Sequence, residues 1–119
     1  VVLEIYKPVV IRGTKGEVKS YALIDTGATV CMLEKSIFDE VGASEVEEGV
    51  VCGINACEAR RSGFVEISIE GCTPAKVLAF EGDMNIVGMN YMSYAVDSIN
   101  VGTGEVSCKQ IAAFIGVSI

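Results

Sequence analysis

The sequence predicts a mostly β protein of closed or sandwich-like architecture, carrying one or two short helices. Short runs rich in Val, Ile and Phe alternate with polar residues, and glycine-bearing turns punctuate them at regular intervals. Helical spacing shows only twice, around Ile37 and around Tyr91. Many short strands with few helices need closure or a second layer to bury their apolar faces.

In chain order, Val1-Val2-Leu3-Glu4-Ile5-Tyr6 and Val9-Val10-Ile11 read as strands separated by Lys7-Pro8, the proline marking an interruption. After the turn Gly13-Thr14-Lys15-Gly16, residues Glu17 to Ile24 begin polar and become continuously apolar, as in a strand running from a solvated rim into a core. This strand delivers Asp25. A short strand is expected at Thr29 to Leu33, then a helix over Glu34 to Val41 that places Leu33, Ile37, Phe38 and Val41 on one face and stops at Gly42. Val50 to Cys57 reads as a hairpin with Gly53 and Asn55 at its tip. Ser62 to Ile69 is a strand with Val65, Ile67 and Ile69 on one face and Glu66 and Ser68 on the other. Ala75 to Phe80 and Asn85 to Gly88 are further strands, Met89 to Val96 forms one or two helical turns, and Ser98–Val101 with Glu105–Cys108 flank a glycine turn. The tail from Ile111 to Ile119 is almost wholly apolar and needs a covering partner, either another strand of the chain or a second chain.

The 119 residues are expected to form one domain, 1–119, and half of them are hydrophobic, which points to burial of apolar surface by oligomerisation. The net charge of −7 argues against a nucleic-acid ligand, because phosphate binding needs clustered Lys and Arg and the only basic pair is Arg60-Arg61. No apolar run is long enough to span a bilayer and no basic-then-apolar leader opens the chain, so a soluble, cytoplasmic protein without membrane contact is expected. A start at Val1 rather than Met suggests a processed or trimmed piece of something longer. The chain contains no His, which removes Ser-His and Cys-His catalysis and His-based metal sites together. Five cysteines at scattered spacings, with no C-x-x-C, read as buried thiols in a reducing compartment; a Cys52–Cys57 bridge across the hairpin tip is conceivable but not required. No metal or other cofactor is expected.

One carboxylate stands out. In Ala22-Leu23-Ile24-Asp25-Thr26-Gly27-Ala28, an apolar strand ends in Asp25, a hydroxyl and a glycine, then resumes with small and branched residues. Asp-Thr-Gly alone is also a common surface turn. Flanked by apolar segments on both sides, however, the carboxylate is costly to desolvate and must find donors or a second group with which to share a proton.

This run, followed by a glycine-bearing hairpin and then by Asn85-Ile86-Val87-Gly88-Met89-Asn90-Tyr91-Met92, resembles the retropepsin-like (retroviral-type) aspartic protease family over nearly the whole chain. The resemblance implies an all-β fold, a closed acid-protease-type β barrel with one lobe per chain. It further implies that Asp25 is the catalytic carboxylate in an active-site loop of Thr26, Gly27 and Ala28. Thr26 would reach across to the partner's loop, and Gly27 would lie near the substrate backbone. Val51 to Glu58 would be the flap, with Cys52, Gly53, Ile54 and Asn55 against substrate. Ile86, Val87 and Gly88 would pack under the active-site loop.

The chemistry needs two carboxylates sharing one proton. Asp39, Asp83 and Asp97 lack the following Thr-Gly or Ser-Gly, so the second aspartate is expected from a second copy, on a two-fold axis. The expected protein is therefore a homodimeric aspartic endopeptidase acting on extended peptides, with the apolar chain ends as its seam. Ile54, Val87 and Leu23 are candidate apolar subsite walls, Leu23 more as core. The alternative is a silent peptide-binding or dimerisation module of the same fold.

Overall fold

The computed structural model describes residues 4–46 and 49–110, with the side chain of residue 51 excepted. The expected tail strand over 111–119 and the first three residues of the N-terminal strand lie outside the described residues. Among the described residues eleven strands and two helices follow in the order β1 (Tyr6–Arg12), β2 (Glu17–Ile24), β3 (Cys31–Glu34), α1 (Lys35–Val41), β4 (Ser44–Glu45), β5 (Gly49–Cys52), β6 (Cys57–Arg60), β7 (Ser62–Ile69), β8 (Ala75–Gly82), β9 (Ile86–Val87), α2 (Met89–Ala95), β10 (Val96–Asn100) and β11 (Glu105–Cys108). The protein is mostly β, as the sequence predicts.

The main sheet runs β1-β2-β9-β3-β8-β7-β4, and β1 also pairs with β7, which closes the strands into a ring. One edge of β7 carries β8, while the other is shared: Gly63 and Phe64 pair with β4, and Glu66 to Ile69 pair with β1. The interior of the ring is filled by the alternating residues of the strands, among them Val9, Ile11, Leu33, Val65 and Ile67, each at most 2% exposed. Burying such a side chain stabilises by about 1.5–3 kcal/mol, so the period-two pattern of β7 is a principal source of the fold.

Helix α1 buries Ile37, Phe38 and Val41, the face expected, and ends at Gly42 in the left-handed conformation (φ 70°). Its last carbonyls would otherwise lack partners. The Gly13–Gly16 turn supplies them: the Thr14 N–H donates to the Gly42 oxygen at 2.9 Å and the Lys15 N–H to the Val41 oxygen at 2.8 Å.

Three expectations need correction. Pro8 does not interrupt a strand: β1 runs through it. The β1–β7 ladder begins at Val9–Ile69, and the Pro8 oxygen accepts from the Glu70 N–H at 3.0 Å, so the missing proline N–H falls just beyond the ladder, where none is needed. Thr29 and Val30 belong to a loop, with β3 beginning only at Cys31. The reading of the cysteines as reduced thiols is also overturned. Cys52 is bonded to Cys57 and Cys72 to Cys108, leaving Cys31 as the free thiol. Cys72 follows β7 and Cys108 ends β11, so their proximity arises from the fold and not from spacing.

Among the described residues no helix is long and apolar enough to cross a membrane.

Candidate active site

Strand β2 reaches Asp25 through the core and is gripped there from both sides. On one side β9 pairs parallel to it, Leu23 opposite Ile86 and Ile24 opposite Val87, and the Asp25 N–H donates to the Val87 oxygen at 3.1 Å. On the other, the Ile24 N–H donates to the Ile5 oxygen at 2.8 Å. The chain then turns: the Ala28 N–H donates to the Asp25 backbone oxygen at 3.2 Å, and the Gly27 N–H to Asp25 Oδ1 at 2.8 Å. The turn chemistry of Asp-Thr-Gly is thus realised, and it fixes one carboxylate oxygen, while among the described residues the other accepts no hydrogen bond. A side chain at Gly27 would place its Cβ 3.1 Å from that fixed oxygen, crowding the group the turn presents.

Helix α2 holds the loop from beneath. The Met89 N–H donates to the Ala28 oxygen at 2.8 Å and the Asn90 N–H to the Thr29 oxygen at 3.0 Å, so the first amides of the helix, orphaned by its geometry, are satisfied by the loop. Gly88 permits this approach. A Cβ there would collide with the Val30 carbonyl and lie 2.9 Å from the Ala28 oxygen.

Cys31 and Asn90 complete the support. The Cys31 thiol accepts from the Gly88 N–H at 3.4 Å and donates to Asn90 Oδ1 at 3.1 Å, while Asn90 Nδ2 donates to the Leu78 oxygen at 2.8 Å. Burial pushes the thiol pKa up to about 11, so Cys31 is a neutral donor at physiological pH. Asn85, 5% exposed, plays a parallel part: its Oδ1 accepts from the Glu34 N–H at 2.9 Å, and its Nδ2 donates to the Tyr21 oxygen at 3.2 Å, clamping β2 to β3.

Asp25 is half-buried, and Thr26 beside it is exposed, its hydroxyl without a hydrogen-bond partner among the described residues. Asp25 opens onto a hollow of about 320 Å³ lined by Glu4, Ile5, Leu23, Ile99 and Val101. Thr26 also borders a second hollow, of about 460 Å³, with Met89, Met92 and Val96.

Of the residues predicted from sequence, Asp25, Thr26, Gly27 and Ala28 are brought together with Ile86, Val87 and Gly88. Cys52, Gly53, Ile54 and Asn55 sit at the outer end of the separate β5–β6 hairpin, and among the described residues no hydrogen bond or ion pair joins this tip to the Asp25 loop. The hairpin is tethered at its base, where Arg60 donates to the Glu81 oxygen at 3.5 Å and Gly49 abuts the Phe80 ring. Val87, 1% exposed, is core and not a subsite wall; Leu23 lines the hollow, contrary to its expected role as core. Sequence reasoning missed Glu4, Ile99 and Val101 as neighbours of Asp25. The alternation of Ser98-Ile99-Asn100-Val101 is a local signal for Ile99 and Val101, and nothing local marks Glu4.

Among the described residues no group of three or more Cys, Asp and Glu side chains is placed to hold a metal ion. No protein-family model matches the chain, and no curated protein matches it.

Proposed function

We propose that this protein is an aspartic endopeptidase of retropepsin-like type, active as a homodimer, whose ring of strands is one lobe of an acid-protease-type barrel. The observation that carries the reading is the Asp25 loop: a strand-end carboxylate with one oxygen fixed by the Gly27 N–H and, among the described residues, no partner on the other oxygen or on the exposed Thr26 hydroxyl beside it. Within one chain this is half of a proton-sharing pair. Asp39 is taken by Arg61 at 2.7 Å, and the Glu4 carboxylate, though on the same hollow, is engaged by the Tyr6 hydroxyl at 2.9 Å.

In the dimer the two Asp25 carboxylates would hold one proton between them, because two like charges a few ångström apart resist joint ionisation. The ionised member takes a proton from water as the oxygen attacks the scissile carbonyl carbon. The protonated member donates to the carbonyl oxygen, giving a neutral tetrahedral diol. Protonation of the leaving nitrogen and collapse then break the C–N bond and regenerate the shared proton. Substrate would lie extended between the loops and the β5–β6 hairpins, its side chains entering the hollow beside Leu23, Ile99 and Val101. No cofactor enters this chemistry. Two disulfides are the mark of an oxidising setting and weigh against the cytoplasmic location expected from sequence.

The test is Asp25→Asn together with Glu4→Gln, assayed on an apolar peptide library and by sedimentation. Asp25→Asn is expected to keep the fold and dimer while cleavage falls by about 10³-fold or more. Glu4→Gln is expected to lose far less cleavage than Asp25→Asn, because its carboxylate is engaged by the Tyr6 hydroxyl. Undiminished cleavage by Asp25→Asn would overturn the reading, and a monomer at all working concentrations would favour the silent module instead.

A further inference from the structure

The two disulfides occupy unlike settings. Cys72 is 8% exposed and its bond to Cys108 fastens the end of β7 to β11 within the body. Cys52 and Cys57 are both exposed and pair with each other at the outermost register of the β5–β6 hairpin.

That hairpin has little else to hold its outer half. Inward of the disulfide its ladder comprises Val51 with Glu58, Val50 with Ala59 and Gly49 with Arg60, and outward of it the Gly53 N–H donates to the Ala56 oxygen at 2.8 Å. Val50 is 67% exposed and Ile54 fully exposed, so burial of these side chains does not back the ribbon. Among the described residues only the base is tethered, by Arg60 and Gly49. A two-stranded ribbon with so little described side-chain burial is marginal in water, so the covalent bond at its outer end carries an unusual share of its order.

We propose that Cys52–Cys57 is a redox latch on the hairpin: closed, it holds the ribbon in register over the substrate; opened by a small dithiol reductant, it lets the tip fray and weakens substrate capture. The regulatory consequence rests on the peptidase reading, whereas the latch itself does not. In the opening step a reductant thiolate attacks one sulfur, the protein S–S bond breaks, and the departing sulfur leaves as a thiolate that takes up a proton. The second reductant thiol then displaces the mixed disulfide. Two protein thiols and one oxidised cyclic reductant result, with two electrons and two protons transferred. Exposure of both sulfur-bearing residues directs this attack to Cys52–Cys57 before Cys72–Cys108.

The experiment is a graded dithiothreitol titration of the full chain, read by thiol alkylation with peptide mapping, by amide hydrogen exchange and by peptide cleavage. Cys52 and Cys57 are expected to label first. Amides over 50–59 should then exchange roughly 30-fold faster, the opening expected on releasing a closed loop of about six residues, while β3 and β7 stay protected. KM should rise with kcat within about twofold, and a Cys52→Ser/Cys57→Ser double variant should match the reduced protein and ignore reductant. Earlier opening of Cys72–Cys108, or unchanged exchange over 50–59 after Cys52 and Cys57 are free, overturns the latch; faster exchange with unchanged KM overturns its regulatory role. Absence of cleavage by the oxidised protein defeats the peptidase reading alone, since labelling and exchange still decide the latch.

Discussion

The Asp25 loop and the β5–β6 hairpin are built on opposite terms. Loop residues from Asp25 to Thr29 are bonded into the body by backbone contacts to Val87, Met89 and Asn90, with a buried thiol and a side-chain amide behind them. Among the described residues the hairpin is bonded to itself and, at its foot alone, to the body. Under the proposed function, a reacting carboxylate would need the fixed geometry of the loop, and a cover that admits and releases a chain would belong at the low-stability end of the molecule. The difference is one of anchorage, and the same substitution made in both regions should expose it.

Gly88→Ala and Gly53→Ala form that pair. At Gly88 the new methyl would run into the Val30 and Ala28 carbonyls, backbone that the helix and loop hold in place; at Gly53 the nearest atom would be the Ala56 oxygen at 3.9 Å, an ordinary contact. Neither glycine has a positive φ, so the contrast is steric and not conformational. Gly88→Ala is expected to cost about 3 kcal/mol and Gly53→Ala to stay within about 0.5 kcal/mol, by urea midpoints. Equal losses would mean that the two regions are equally anchored.

The support beneath the loop also has a pH signature. The Cys31 thiol is raised by burial from its ordinary value of 9.0 to about 11. Between those values the unfolded chain has lost a proton that the folded chain retains, so stability falls with rising pH. The contribution is whole below pH 9 and is lost as pH passes through about 11, amounting to about 2 kcal/mol. Cys31→Ala should flatten this part of the profile relative to the parent, measured as the change in unfolding midpoint from pH 8.5 to 11. A profile of unaltered slope would show that the thiol does not titrate with folding.

These contrasts also mark what sequence discloses. The Asp25 strand was legible because its hydrophobic run and its turn residues are contiguous, and β7 because alternation is local. The clamp of Asn85, the thiol bond of Cys31 to Asn90, and Glu4, Ile99 and Val101 around the hollow come from segments far apart in the chain, joined only when the ring closes. Cys72–Cys108 is hidden for the same reason, its cysteines being separated by 36 residues, whereas Cys52–Cys57 spans a readable hairpin whose sequence carries no signal of redox state. Val87, a candidate wall by sequence, is core, and Leu23, a candidate wall that reads more as core, lines the hollow, because alternation gives two faces without saying which is inside.

The smallest expected effect on stability is also the sharpest separation of the two regions. Ile54 is fully exposed at the hairpin tip, so its truncation removes no buried surface from the free protein. Ile54→Ala should therefore leave the urea midpoint within about 0.5 kcal/mol of the parent. If the hairpin closes over an extended apolar substrate, the same side chain becomes buried on binding, and losing most of it should weaken capture by roughly 1–2 kcal/mol, raising KM about tenfold with kcat little changed. The pairing of an unmoved midpoint with a raised KM is what a cover produces and a structural ribbon does not. A lowered midpoint would place Ile54 in a folded contact, and an unchanged KM would remove the hairpin tip from substrate recognition.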